Sequence, residues 1–254
     1  MAPVRPARIS VLRLALVTFA LATAAALLPQ TAAALAFAPT ESEWATWPAY
    51  CQARYLVSGA GADTEYVRRL DPAVVRTWES RLGPEVWYGL HHYCAALIIA
   101  NRAKSEPDKK ERAKLLKQVI EEDRFTLGHV PQTHPMHAEI AAHMGLAHGQ
   151  LGQKELALRH FDMAIGACPS CSVGYQAKAI FYREASQPAQ AREALEAGDR
   201  ALEGKSALIH YLLGLVLMDL KDFPAAQDHA RRAYELGYPL PGLRDRLARA
   251  GHPL

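Results

Sequence analysis

Four cysteines carry the first chemistry to weigh in this chain: Cys51, Cys94, Cys168 and Cys171. Cys168-Pro169-Ser170-Cys171 has the C-x-x-C spacing of a redox pair, half a metal site or a local disulfide. Redox use needs a reactive thiol at a helix N-terminus, where the dipole favours the thiolate. Here Cys168 ends one helical stretch and Cys171 begins the next, with no βαβ pattern around them, so the expectation is a structural disulfide. Thiol–disulfide exchange or metal handling at Cys168 and Cys171 is the alternative. No histidine follows Cys171, so covalent haem attachment is not indicated. Cys51 and Cys94 each sit among aromatic residues on a helical stretch, and a bridge between them would close a loop worth on the order of 4 kcal/mol.

Histidines gather at His129, His134, His137, His143 and His148. His137 and His148 share a helix face but lie too far apart for one metal, since helical ligands sit three or four residues apart. His143 is expected to point elsewhere. His91 and His92 diverge by roughly 100° on a helix, one solvated and the other packed. The run Glu121-Glu122-Asp123 reads as solvation of a helix end. No Ser-His-Asp arrangement, phosphate-binding glycine loop or paired carboxylates can be picked out, so no catalytic residue, cofactor or metal is expected, and the chain reads as a non-enzyme.

The first 36 residues hold Arg5, Arg8 and Arg13, no acid, an apolar run from Leu14 to Leu28, and the small-residue ending Ala34-Leu35-Ala36. This order is that of a secretory signal peptide cleaved near 36, with an uncleaved N-terminal anchor as the alternative. Cleavage takes Lys+Arg from 29 to 26 against 26 Asp+Glu, leaving a near-neutral chain without a basic stripe. Nucleic-acid binding is therefore not expected, nor is a membrane span after cleavage. A periplasmic or secreted chain with an even cysteine count is expected to form disulfides.

The elements that must position these side chains read as helices throughout. Thr40 or Ser42 is placed to cap a helix from Glu43 to about Val57, kinked at Pro48. The stretch Ser58–Asp63 is a glycine loop, and Asp71-Pro72 opens a short helix ending at Gly83-Pro84. A long apolar helix spans Glu85–Ala103. Lys109–Phe125 is its charged partner, with Leu115, Leu116, Val119 and Ile120 inward. A connecting loop covers 126–136.

From Ala138 to Pro239 the chain repeats itself. Gly145, Ala179 and Gly214 are spaced by 34 and 35 residues, as are Ala157, Ala191 and Ala226, and again Ala164, Gly198 and Ala233. Such a period marks stacked supersecondary units, none able to bury its apolar face alone. Ala141, Met144, Gly145, His148, Ala157, Phe161 and Pro169 form the first unit's signature. Tyr175, Lys178, Ala179, Tyr182, Ala191 and Leu195 form the second, and His210, Leu213, Gly214, Leu217, Ala226, Ala230 and Pro239 the third. The pattern resembles the tetratricopeptide repeat, W-x2-L-G-x2-Y then A-x3-F then P.

That resemblance implies an all-α right-handed superhelix of stacked helical hairpins, with repeats at 138–171, 172–205 and 207–240 and a capping helix at 241–254. A helical N-terminal subdomain (37–83) and a divergent hairpin (84–125) precede them. It also implies an adaptor whose first helices line a concave groove for a protein or peptide. On this chain the groove positions are Ala142, Leu146, Gln150, Gln176, Ile180, Arg183, Tyr211, Leu215 and Met218. The family subtype that clamps a C-terminal carboxylate with Lys and Asn is disfavoured, because Ala142 and Leu146 stand there. Envelope assembly or secretion is the setting the resemblance implies. The remaining alternative is a structural subunit whose groove is filled by its own N-terminal helices or by a second copy.

Overall fold

A computed structural model describes residues 38–58 and 71–254. The expected signal peptide (1–36) and the stretch 59–63 lie outside them. Among the described residues the protein is all-α, with twelve helices and no strand.

Helix α1 (Glu41–Thr46) starts at a capping box: Thr40 N–H donates to Glu43 Oε2 at 2.7 Å, and Glu43 N–H donates to Thr40 Oγ1 at 3.3 Å. The single kinked helix expected over 43–57 is two helices. Pro48 forces Trp47 into extended backbone (ψ 143°), so α1 stops there and α2 (Ala49–Ser58) begins afresh. In α3 (Ala73–Leu82) the Asp71 carboxylate accepts from Ala73 N–H at 2.8 Å, and Gly83, at φ +80°, ends the helix.

The rest is a run of helical hairpins. α4 (Pro84–Ser105) pairs with α5 (Lys109–Leu127), α6 (Pro135–Gln150) with α7 (Lys154–Ala167), α8 (Ser172–Glu184) with α9 (Pro188–Ala201), and α10 (Ala207–Asp219) with α11 (Phe223–Glu235). The second helix of each pair touches the first helix of the next pair, and successive first helices also touch one another. Side chains make the starts unambiguous: Asp108 accepts from Lys110 and Glu111 N–H, and the His134 ring accepts from Met136 N–H.

Positions in the 34-residue echo lie where helices approach closely. A Cβ at Gly145 would lie 2.5 Å from the Phe161 ring, and one at Gly214 would lie 2.4 Å from Leu243. Ala157, Ala164, Ala191, Ala226 and Ala233 have no exposed surface. Larger residues there would force the hairpins apart. The last helix, α12 (Gly242–Arg249), packs on α10 and α11 and buries Leu243 and Leu247 completely. Each such leucine contributes about 1.5–3 kcal/mol by burial, and α12 covers the apolar end of the stack.

Both cysteine pairs are disulfides, Cys51–Cys94 and Cys168–Cys171. The first joins α2 to α4. Around it the indole N–H of Trp47 donates to Cys94 O at 2.9 Å, Arg54 Nε donates to Trp87 O at 2.8 Å, and Arg102 Nε donates to Glu43 at 2.7 Å. The N-terminal helices are thus pinned to the first hairpin by a covalent bond, polar contacts that run from buried to exposed, and an aromatic cluster of Trp44, Trp47 and Tyr55. Cys168 closes α7 and Cys171 is the N-cap of α8, so the second disulfide ties one turn between two hairpins.

Candidate binding groove

Helix α6 presents Glu139, Ala142, His143, Leu146 and Gln150 at spacings of three and four, one stripe of a helix. Helix α8 presents Val173, Gln176, Ala177 and Ile180 at the same spacings. The two stripes enclose a cavity of about 140 Å³ lined by Tyr93, Glu139, Ala142, His143, Leu146, Val173, Gln176, Ala177 and Ile180. A second cavity, of about 300 Å³, shares His143 and Leu146 with the first. It is bounded by Trp47, Pro48 and Glu43 from the N-terminal helices and by Asn101 and Lys104 from α4, with Gln150 at its edge.

Four of the nine groove positions expected from the sequence, Ala142, Leu146, Gln176 and Ile180, therefore surround one cavity. Gln150 lies with Leu146 on the other. Arg183, Tyr211, Leu215 and Met218 line neither. Arg183 is paired with Asp219 at 2.7 Å, the Tyr211 ring stacks on Tyr238 at 4.0 Å, and Leu215 and Met218 pack against the C-terminal core.

The polar part of the site was not anticipated. Asp123 and Glu122 do not solvate a helix end: Asp123 has no exposed surface and Glu122 is buried. α5 is wedged between α4 and α6, so two successive acids, roughly 100° apart, reach opposite neighbours. Glu122 Oε2 meets His92 Nδ1 at 2.5 Å on α4, and Asp123 Oδ2 meets His143 Nδ1 at 2.7 Å on α6. Burial pushes the Asp123 carboxyl up, while the neighbouring His143 pulls it back. Asp123 Oδ1 is buried without a hydrogen-bond partner among the described residues. His143 lines both cavities, on a different face from His137 and His148, with its Nδ1 beside the buried acid and its ring edge-on to Tyr93.

One turn before His143, Glu139 Oε1 accepts from the Tyr50 hydroxyl at 2.6 Å and the Tyr93 hydroxyl at 2.9 Å. Burial pushes both phenols up, and the Glu139 charge adds to the shift. The groove stripe of Ala142, extended one turn back, reaches Glu139. The Asp123–His143 contact joins residues 20 apart on different helices, and nothing local announces it.

The other histidines are structural partners. His137 Nδ1 lies 3.1 Å from Val130 O, His148 Nδ1 lies 2.6 Å from Gln153 Oε1, and His148 stacks on His160 at 5.1 Å. His129 Nδ1 lies 2.8 Å from Phe125 O. His91 and His92 are both half-buried with rings 4.3 Å apart, so neither is the solvated one expected. No group of three or more His, Cys, Asp or Glu among the described residues could hold a metal ion, and no helix there is long and apolar enough to cross a membrane. No protein-family model matches the chain and no curated protein matches it in sequence.

Proposed function

We propose that this protein is an exported scaffold of tetratricopeptide type, in which the first helices of successive hairpins line the concave face of a right-handed superhelix and hold a protein or peptide partner. The observation that carries it is the cavity between α6 and α8. Its walls are Ala142, Leu146, Gln176 and Ile180, drawn from two successive repeat units at the positions the repeat pattern assigns to a groove. Such a surface, apolar with few polar groups, suits an extended or helical segment. Two disulfides fit an oxidising compartment, in keeping with periplasmic or secreted residence after removal of the leader.

The test is affinity capture from an envelope extract with wild type, Ile180→Glu and Leu146→Glu, each checked for unchanged helical circular dichroism. A partner held by wild type and lost from both variants supports the groove. A partner retained by folded variants removes it. The mass of the exported chain reports leader cleavage. The N-terminal helices bear on the self-filled alternative: Trp47 and Pro48 border the 300 Å³ cavity but do not line the α6–α8 cavity. The N-terminal helices therefore border one part of the groove, and the α6–α8 cavity is the part this reading gives to a partner.

A further inference from the structure

We infer that the α6–α8 cavity selects a partner segment carrying a lysine, whose ammonium is received by Glu139; this rests on the groove reading above. Ala142, Leu146, Val173, Ala177 and Ile180 make the walls largely aliphatic, and Glu139 is the carboxylate that lines them. Its Oε1 is occupied by two phenol donors, from Tyr50 and Tyr93. Its Oε2 has no partner among the described residues and is not a buried orphan, so it is open to the cavity. The basic side chains of α8 do not neutralise it: Lys178 is paired with Asp162 at 2.8 Å and Arg183 with Asp219 at 2.7 Å.

A point acceptor, Glu139 Oε2, in a largely apolar slot matches a lysine, whose methylene stem lies along apolar surface and whose ammonium is a compact donor. Arginine fits less well. A guanidinium pairs best with both oxygens of a carboxylate at once, and the two tyrosine hydroxyls already take one of them.

The probes are three acetylated, amidated peptides of alternating leucine and serine that differ at one central residue: lysine, arginine or norleucine. Binding to the full exported chain is read by calorimetry for wild type, Glu139→Gln and Gln176→Lys. On wild type the lysine peptide should bind about tenfold tighter than the norleucine peptide, the scale of one hydrogen bond to a charged group, with arginine between them. Glu139→Gln should bring lysine and norleucine within about twofold. Gln176→Lys leaves the tyrosine contacts of Glu139 untouched and sets a tethered cation in the same cavity, so it should also abolish the preference. Equal binding of lysine and norleucine peptides to wild type overturns the inference while the groove stands. So does a lysine preference that survives either substitution. If none of the peptides binds up to about 1 mM, the groove reading itself falls and this inference with it.

Discussion

The buried carboxylate of Asp123 on α5 and the imidazole of His143 on α6 lie 2.7 Å apart, joining two neighbouring hairpins and fixing the ring that both cavities share. Removing one partner leaves the other buried and uncompensated, which costs about 3–5 kcal/mol. Asp123→Ala should therefore destabilise the protein on that scale in urea unfolding. Asp123→Ala with His143→Ala together should cost clearly less than the sum of the single changes. Additive effects would mean that the pair does not couple the hairpins.

The two disulfides should differ in value because they close loops of different length. Cys51–Cys94 spans 43 residues and Cys168–Cys171 spans 3. Loop-closure entropy gives about 4 kcal/mol for the first and about 2 kcal/mol for the second. Double alanine variants of each pair, compared by thermal unfolding, should show the larger loss for Cys51→Ala/Cys94→Ala. That pair also secures the helices whose Trp47 and Glu43 border the larger cavity, so its loss should reshape the groove. The opposite ranking would show that native-state packing dominates loop closure.

The hairpin stack was legible in the sequence because its cause is periodic. Small residues recur where helices must cross, and each of Gly145, Ala157 and Ala226 reports a close approach that a larger side chain would block. Pro48 within an apolar periodic stretch reads as a kink, and the extended bias of the residue before a proline makes it a full stop. The polar centre was hidden for a different reason. Glu122 and Asp123 look solvated in a charged helix, and only the position of α5 between α4 and α6 turns them inward. Tyr50 and Glu139 are 89 residues apart and meet through the folded N-terminal helices. Such contacts have no local pattern to read.

Glycines test the crossing argument in both directions. At Gly145 a Cβ would meet the Phe161 ring at 2.5 Å and the Ala157 carbonyl at 3.2 Å, whereas at Gly166 nothing lies within 4 Å. Gly145→Ala should destabilise by about 1–3 kcal/mol through overpacking. Gly166→Ala, near the end of α7, should stabilise by about 0.5 kcal/mol by restricting the unfolded chain. Denaturant midpoints of the two variants should move in opposite directions. A neutral Gly145→Ala would show that Phe161 yields without cost and that the repeat's small residues serve something other than close packing.

Mild acid should weaken the fold through its histidines. Burial, reinforced by the charge of neighbouring His148, holds His160 down at about 4, and burial with neighbouring His92 does the same for His91. His134 and His229 are lowered as well, chiefly by burial. An ordinary histidine near 6.5 takes up a proton in the unfolded chain while these rings stay neutral in the folded one. Between about pH 6.5 and about pH 4 the unfolded state therefore binds more protons, so the stability these neutral rings contribute is whole above that window and is lost as pH falls through it. Asp123 works against the trend. Its raised carboxyl holds a proton to higher pH when folded, so acid favours the native state at that residue. With several lowered histidines against one such acid, urea midpoints should fall from about pH 7.5 to about pH 5. His160 is the best residue to isolate, since its Nδ1 is buried without a hydrogen-bond partner among the described residues and its neutral form is the one the fold accepts. His160→Gln cannot titrate and should flatten the pH dependence while leaving the neutral-pH midpoint near wild type. A slope unchanged by His160→Gln would assign the acid sensitivity to the other lowered histidines, His91, His134 and His229, instead.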